Sequence, residues 1–136
     1  MGKSTDFIKS LLGICETKRL NPDLWSLEDK QKIRVKLTET AGLFANQKGV
    51  YLTGKGLHRP ILLVKTDDGR YLAFTNRCTH LGHRKLDPVP GKPVLRCCSM
   101  NHSTFDYEGK WLTGPARHPL SLHEVEQSNG DLLIKL

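Results

Sequence analysis

Two short stretches carry side chains able to hold a metal. In CTHLGH, residues 78 to 83, a thiol at Cys78 and an imidazole at His80 stand two positions apart. In CCSMNHSTFD, residues 97 to 106, adjacent Cys97 and Cys98 precede an imidazole at His102. One cysteine and one histidine from each stretch make a donor set of two sulfurs and two nitrogens. Such a set suits zinc or an iron–sulfur centre. Four cysteines (Cys15 is the fourth) also raise the prospect of disulfides. Vicinal Cys97 and Cys98 bridge each other poorly and no secretion signal is seen, so metal binding is the better reading.

Each stretch directly follows an expected strand, which would position its backbone. YLAFT, 71 to 75, precedes the first and PVLRC, 93 to 97, leads into the second. Around them the β pattern is dense. VYLT and PILLVK are strands; Asp67-Asp68-Gly69 and Ser128-Asn129-Gly130-Asp131 are hairpin turns; KWLT, LHEVEQ and LLIKL follow as strands. Trp25 and Leu27, then Ile33, Val35 and Leu37, alternate with polar neighbours as a further hairpin. TETAGLFANQKG reads as a loop or a single helical turn. Ser4 or Thr5 can cap a short helix with Phe7, Leu11 and Leu12 on one face. The expected architecture is all-β, an antiparallel sandwich or barrel, with residues 1–30 a helical and loop extension and 31–136 the main domain.

The chain has 136 residues, enough for one domain with a modest core. No apolar run approaches the roughly 20 residues of a membrane helix, so no membrane span and a cytoplasmic location are expected. The 21 Lys and Arg against 14 Asp and Glu give a formal charge of +7. They are scattered, and from 32 to 37 they alternate with apolar residues as on a solvated strand face. This favours docking to acidic proteins over nucleic-acid binding.

CTHLG, then Cys98 with His102-Ser103-Thr104-Phe105-Asp106, a glycine turn and GPARHPL together resemble the Rieske [2Fe-2S] family. The motifs run from 78 to 120, and the strand pattern from about 32 to 136 also fits. The resemblance implies a Rieske-type β fold and a [2Fe-2S] cluster, with two cysteines on one iron and two histidines on the other. It implies a potential of roughly −150 to +300 mV, raised by the histidine pair. It also implies that Gly114 to Leu120 is a proline loop covering the cluster.

The second motif departs from the family pattern. Counting back from Phe105 puts Asn101 where the family has its histidine and Cys98 where it has its cysteine. Three readings stand. His102 ligates in a C-x-x-x-H form, giving the ligand set Cys78, His80, Cys98 and His102; this one is favoured, because asparagine is a poor iron ligand. Alternatively Cys97 replaces Cys98. Alternatively the site holds zinc or no cluster. The loop disulfide of bc-type relatives is missing, since its positions fall at His83 and Met100. Ser103 occupies the place of a serine that donates toward a bridging sulfide. Phe105 replaces a tyrosine that bonds a cysteine sulfur. Fewer donors to sulfur predict a potential below that of the bc type, and ionisable histidine ligands predict a fall at alkaline pH.

The other candidates are ordinary. Cys15 reads as a packed thiol, and His58, His118 and His123 as surface histidines, with His118, in the segment 114–120, alternatively standing near the cluster. Gly2-Lys3-Ser4-Thr5 lacks the glycine-rich part of a phosphate loop. The chain ends soon after the last strand, with no second iron site expected. The functional expectation is therefore a one-electron carrier, a stand-alone ferredoxin or a small redox subunit, rather than a complete enzyme. Its expected partners are redox proteins. The alternative is a structural zinc-binding or cluster-free interaction module.

Overall fold

The computed structural model describes residues 17–45, 49–76, 86–89, 92–98, 103–114, 116 and 118–136. The strands among them are β1 (Lys18–Arg19), β2 (Trp25–Glu28), β3 (Lys32–Lys36), β4 (Gly49–Leu52), β5 (Ile61–Lys65), β6 (Tyr71–Thr75) and β7 (Leu86–Pro88). They continue with β8 (Val94–Cys97), β9 (Thr104–Asp106), β10 (Trp111–Thr113), β11 (Leu122–His123), β12 (Val125–Ser128) and β13 (Asp131–Lys135). One helical turn, α1 (Leu37–Thr40), runs into a 3-10 segment, Ala41–Ala45, where a loop or single turn was expected. The all-β expectation holds. The helix expected near residues 7 to 12 lies outside the described residues.

The strands form three sheets, in the orders β1-β4-β5-β6-β11, β10-β9-β8-β7 and β12-β13-β3-β2. All pairings are antiparallel except β1 with β4. The first sheet is the shared wall. The apolar run of β5 is buried on both faces, as an unbroken Ile-Leu-Leu-Val run requires. Ile61 and Leu63 face one core with Leu20, Trp25, Ile33, Val35, Leu132 and Ile134. Leu62 and Val64 face a second core with Phe74, Leu86, Leu95, Cys97 and Phe105. The second core lies between the first sheet and the small sheet β7–β10, whose strand β8 ends at Cys97.

Turn chemistry sets the registers. Asn129 and Gly130, with φ of 51° and 82°, join β12 to β13 as a two-residue hairpin. The β5–β6 turn closes with Gly69 N–H on the Thr66 carbonyl at 3.0 Å. The β2–β3 hairpin was expected and is present, pairing Trp25 with Val35 and Leu27 with Ile33. A division at residue 30 falls inside this hairpin, and Leu20 and Trp25 are part of the first core. LHEVEQ was expected as one strand. It is two, because the chain crosses between sheets at Glu124: β11 pairs with β6 and β12 with β13.

Candidate metal centre

Hydrogen bonds among described residues stand beside three chain segments that carry the motifs. The first, 77–85, carries Cys78 and His80 in sequence. At its ends, the Asn76 Oδ1 accepts from the Leu86 backbone N–H at 2.9 Å. The second carries Cys98 and His102. Cys97 N–H donates to the Ser103 carbonyl at 2.8 Å across it. The third begins at Gly114. There the Ala116 N–H donates to the Ser103 Oγ at 3.0 Å, fully buried. Leu86 pairs with Cys97 in the β7–β8 ladder, so the first two closures stand side by side.

Of the four expected ligands, Cys98 alone lies among the described residues; Cys78, His80 and His102 lie outside them. Cys98 is 6% exposed, at the end of β8. Its sulfur is in a disulfide. Cys97 is outside any disulfide and sits in the apolar cluster with Leu86, Leu95 and Phe105. The two neighbouring cysteines thus differ in kind: one thiol packs in the core, and the other sulfur meets a second sulfur. Among the described residues no three His, Cys, Asp or Glu side chains are grouped to hold a metal.

Residues 103–107, which follow the second segment, are buried or half-buried. Ser103 is fully buried, and by accepting from Ala116 it keeps its own proton to donate. Phe105 is fully buried and carries no hydroxyl. The Tyr107 hydroxyl is buried and without a hydrogen-bond partner. Burial first, and then the negative charge of Asp67, push its pKa up. On the edge strand β10, the Trp111 indole N–H donates to the Gly114 carbonyl at 3.0 Å, fastening the third segment to the sheet.

Sequence reasoning singled out Ser103, Phe105 and the Gly114–Leu120 segment, and Ser103 and Phe105 are buried. It missed Asn76, whose type and place next to the first motif were the available signal.

The architecture is that of a small β domain with two buried cysteines, Cys97 and Cys98, at the end of β8. A family model described as the Rieske [2Fe-2S] domain matches residues 33–126, and the chain belongs to that family. Its cofactor is a [2Fe-2S] cluster. A 65-residue match is 35% identical to the glycine betaine monooxygenase oxygenase subunit of Chromohalobacter salexigens, covering 48% of this chain and 15% of that protein. A 58-residue match is 33% identical to the anthranilate 1,2-dioxygenase large subunit of Burkholderia cepacia, covering 43% of this chain and 14% of that protein. Among solved structures, the plasma membrane Rieske protein PetC3 from Synechocystis PCC 6803 aligns with a TM-score of 0.57 at 20% identity. That alignment covers 74% of this chain and 95% of PetC3. A chain from the reduced oxygenase–ferredoxin complex of carbazole 1,9a-dioxygenase aligns with a TM-score of 0.55 at 22% identity, covering 79% of this chain and 28% of that one. These likenesses are likenesses of fold.

The residues present fit such a cluster. One iron of a Rieske centre takes two thiolates, and Cys98, buried just after β8, could supply one of them. The buried Ser103 hydroxyl and the buried Phe105 and Leu86 would suit the sparse-donor, low-dielectric surroundings that tune such centres.

Proposed function

We propose that this protein is a ferredoxin-like one-electron carrier, or a small electron-transfer subunit, rather than a catalyst. The observation that carries the reading is the set of linked hydrogen bonds, Asn76 to Leu86, Cys97 to Ser103 and Ser103 to Ala116, among the residues that flank the motif segments. Cys78 and Cys98 would hold one iron, and His80 and His102 the other. When bound, the cluster supplies a one-electron couple. The chain's own residues close the ligand segments, keep Cys98 out of solvent and present the Ser103 hydroxyl. PetC3 supports a stand-alone role, since 95% of that chain is matched.

The partner would be a redox protein with an acidic docking surface, complementary to a formal charge of +7. Among the described residues no helix is long and apolar enough to cross a membrane. A cytoplasmic location belongs to this proposal, because a reducing compartment keeps the two thiols available.

A second reading is favoured by the curated relatives, both oxygenase subunits. In it the same domain passes electrons within an oxygenase. Iron content separates the two, because an oxygenase adds a mononuclear iron to the cluster's two.

The test is the EPR spectrum of the dithionite-reduced protein beside that of His102→Ala. A Rieske-type signal of low average g, lost or altered in the variant, is expected. A signal unchanged by the substitution removes His102 from the ligand set. Folded protein lacking iron and signal overturns the electron-carrier reading.

A further inference from the structure

Asn76 follows β6 and is 2% exposed. Its backbone N–H donates to the Pro60 carbonyl at 2.8 Å. Its side-chain Oδ1 accepts from the Leu86 N–H at 2.9 Å, across ten positions. A buried amide costs free energy unless its hydrogen bonds are made, and packing alone would be served by an apolar residue. What this amide does is join the two ends of the segment carrying Cys78 and His80. The connection continues beyond it. Leu86 pairs with Cys97, Cys97 N–H donates to the Ser103 carbonyl, and Ser103 Oγ accepts from Ala116. An unbroken line of bonded or laddered residues therefore links all three segments, and Asn76 is the side chain that begins it.

We infer that Asn76 is a positioning residue for the metal centre. Its amide oxygen holds the ends of the first ligand-bearing segment in fixed register to the strand that leads to Cys98. The inference rests on the ligand set proposed above. On this inference Asn76 acts through its bond to Leu86, not by ligating metal itself. Removing the acceptor frees those ends, so metal is lost more easily while the β core persists. A role confined to packing would instead lower fold stability and leave metal retention unchanged in the folded protein.

The experiment uses the full, iron-loaded chain as wild type, Asn76→Leu and Asn76→Asp. Leucine keeps the volume without an acceptor; aspartate keeps the acceptor. Iron release to a ferrous chelator is timed well below the melting temperature of every variant. Visible circular dichroism of the loaded protein and urea unfolding are recorded in parallel. The expected result is at least a tenfold faster release and an altered visible spectrum in Asn76→Leu, beyond what its unfolded fraction accounts for, with near wild-type release in Asn76→Asp. Wild-type release from Asn76→Leu, release that only tracks unfolding, or failure of aspartate to restore retention would each overturn the inference. Should Asn76→Leu not fold, Asn76→Ser, too short to reach Leu86, is judged by the same criteria. Iron-free wild type overturns the ligand reading and this inference together; iron-loaded wild type with an unaffected Asn76→Leu overturns this inference alone.

Discussion

A Cβ placed on Gly114 would stand 2.4 Å from the Ser103 Cα and 2.7 Å from its hydroxyl, so the two backbones are in direct contact. Gly114 also has a φ of +94°, which side chains of L-residues rarely adopt. Gly114→Ala therefore meets a backbone strain and a clash against an atom that cannot rotate away. The expected cost is about 2–4 kcal/mol, read from urea unfolding. A cost within the error of the extrapolation would mean that the contact relaxes freely.

Ser103 has two duties, and one substitution tests both. In Ser103→Ala the buried Ala116 N–H loses its acceptor, at a cost of about 1–3 kcal/mol. On the proposed reading the hydroxyl also donates toward the cluster, where donors stabilise the more negative reduced state. Its loss then lowers the potential by roughly 40–60 mV, a hydrogen bond of about 1 kcal/mol expressed for one electron. Phe105→Tyr is expected to move the potential the opposite way, since it adds a donor to a fully buried ring. Protein-film voltammetry reads both. An unchanged potential in Ser103→Ala confines the serine to its bond with Ala116.

What the sequence made legible followed its physical periodicity. The double-sided burial of β5 shows in its unbroken apolar run, and the β12–β13 register in Asn129-Gly130. Two strands left no such trace. β7 contains Pro88, which argues against a strand until the sheet order places it at an edge, where a missing N–H is tolerated. β1 is two charged residues, Lys18 and Arg19, paired in parallel with β4. At the site, residue types and order were readable: Cys98 and Ser103 lie at the second segment and Gly114 against it. The closures through Asn76 and Ala116 were not, because a side chain bonding a distant backbone group leaves no spacing rule in the sequence.

The start of the described chain is tied to the small sheet by one carboxylate. The Thr17 backbone N–H and hydroxyl both donate to the Asp87 Oδ1, at 2.9 and 2.5 Å, across 70 positions. Asp87 lies in the three-residue edge strand β7, which immediately follows the first ligand-bearing segment. Hydrogen bonds to a charged group contribute about 1.5–3 kcal/mol each at most, and partial exposure reduces this. Asp87→Ala is expected to lower stability by about 1–2 kcal/mol, while Asp87→Asn, which keeps an acceptor oxygen, loses less. Paired urea titrations decide it, and equal stability in both variants and wild type would show that the latch is energetically idle.

His123 makes the fold sensitive to acid. Its Nε2 lies 2.9 Å from the Thr75 hydroxyl, at the end of the strand leading to the first ligand-bearing segment. Burial holds its pKa below the ordinary value, only partly offset by a hydrogen bond to the Lys135 backbone. The unfolded chain takes up this proton near pH 6.5, while the folded chain resists until lower pH. The unfolded state thus binds more protons in that window, and stability falls as the pH drops below about 6.5. Above it both states carry a neutral ring, and the contribution is fully present. In His123→Gln, which keeps a polar side chain but does not titrate, this part of the pH dependence disappears. Urea midpoints at pH 7.5 and pH 5 are expected to move further apart in the wild type than in the variant. Equal shifts would assign the acid sensitivity to the carboxylates and histidines the two proteins share.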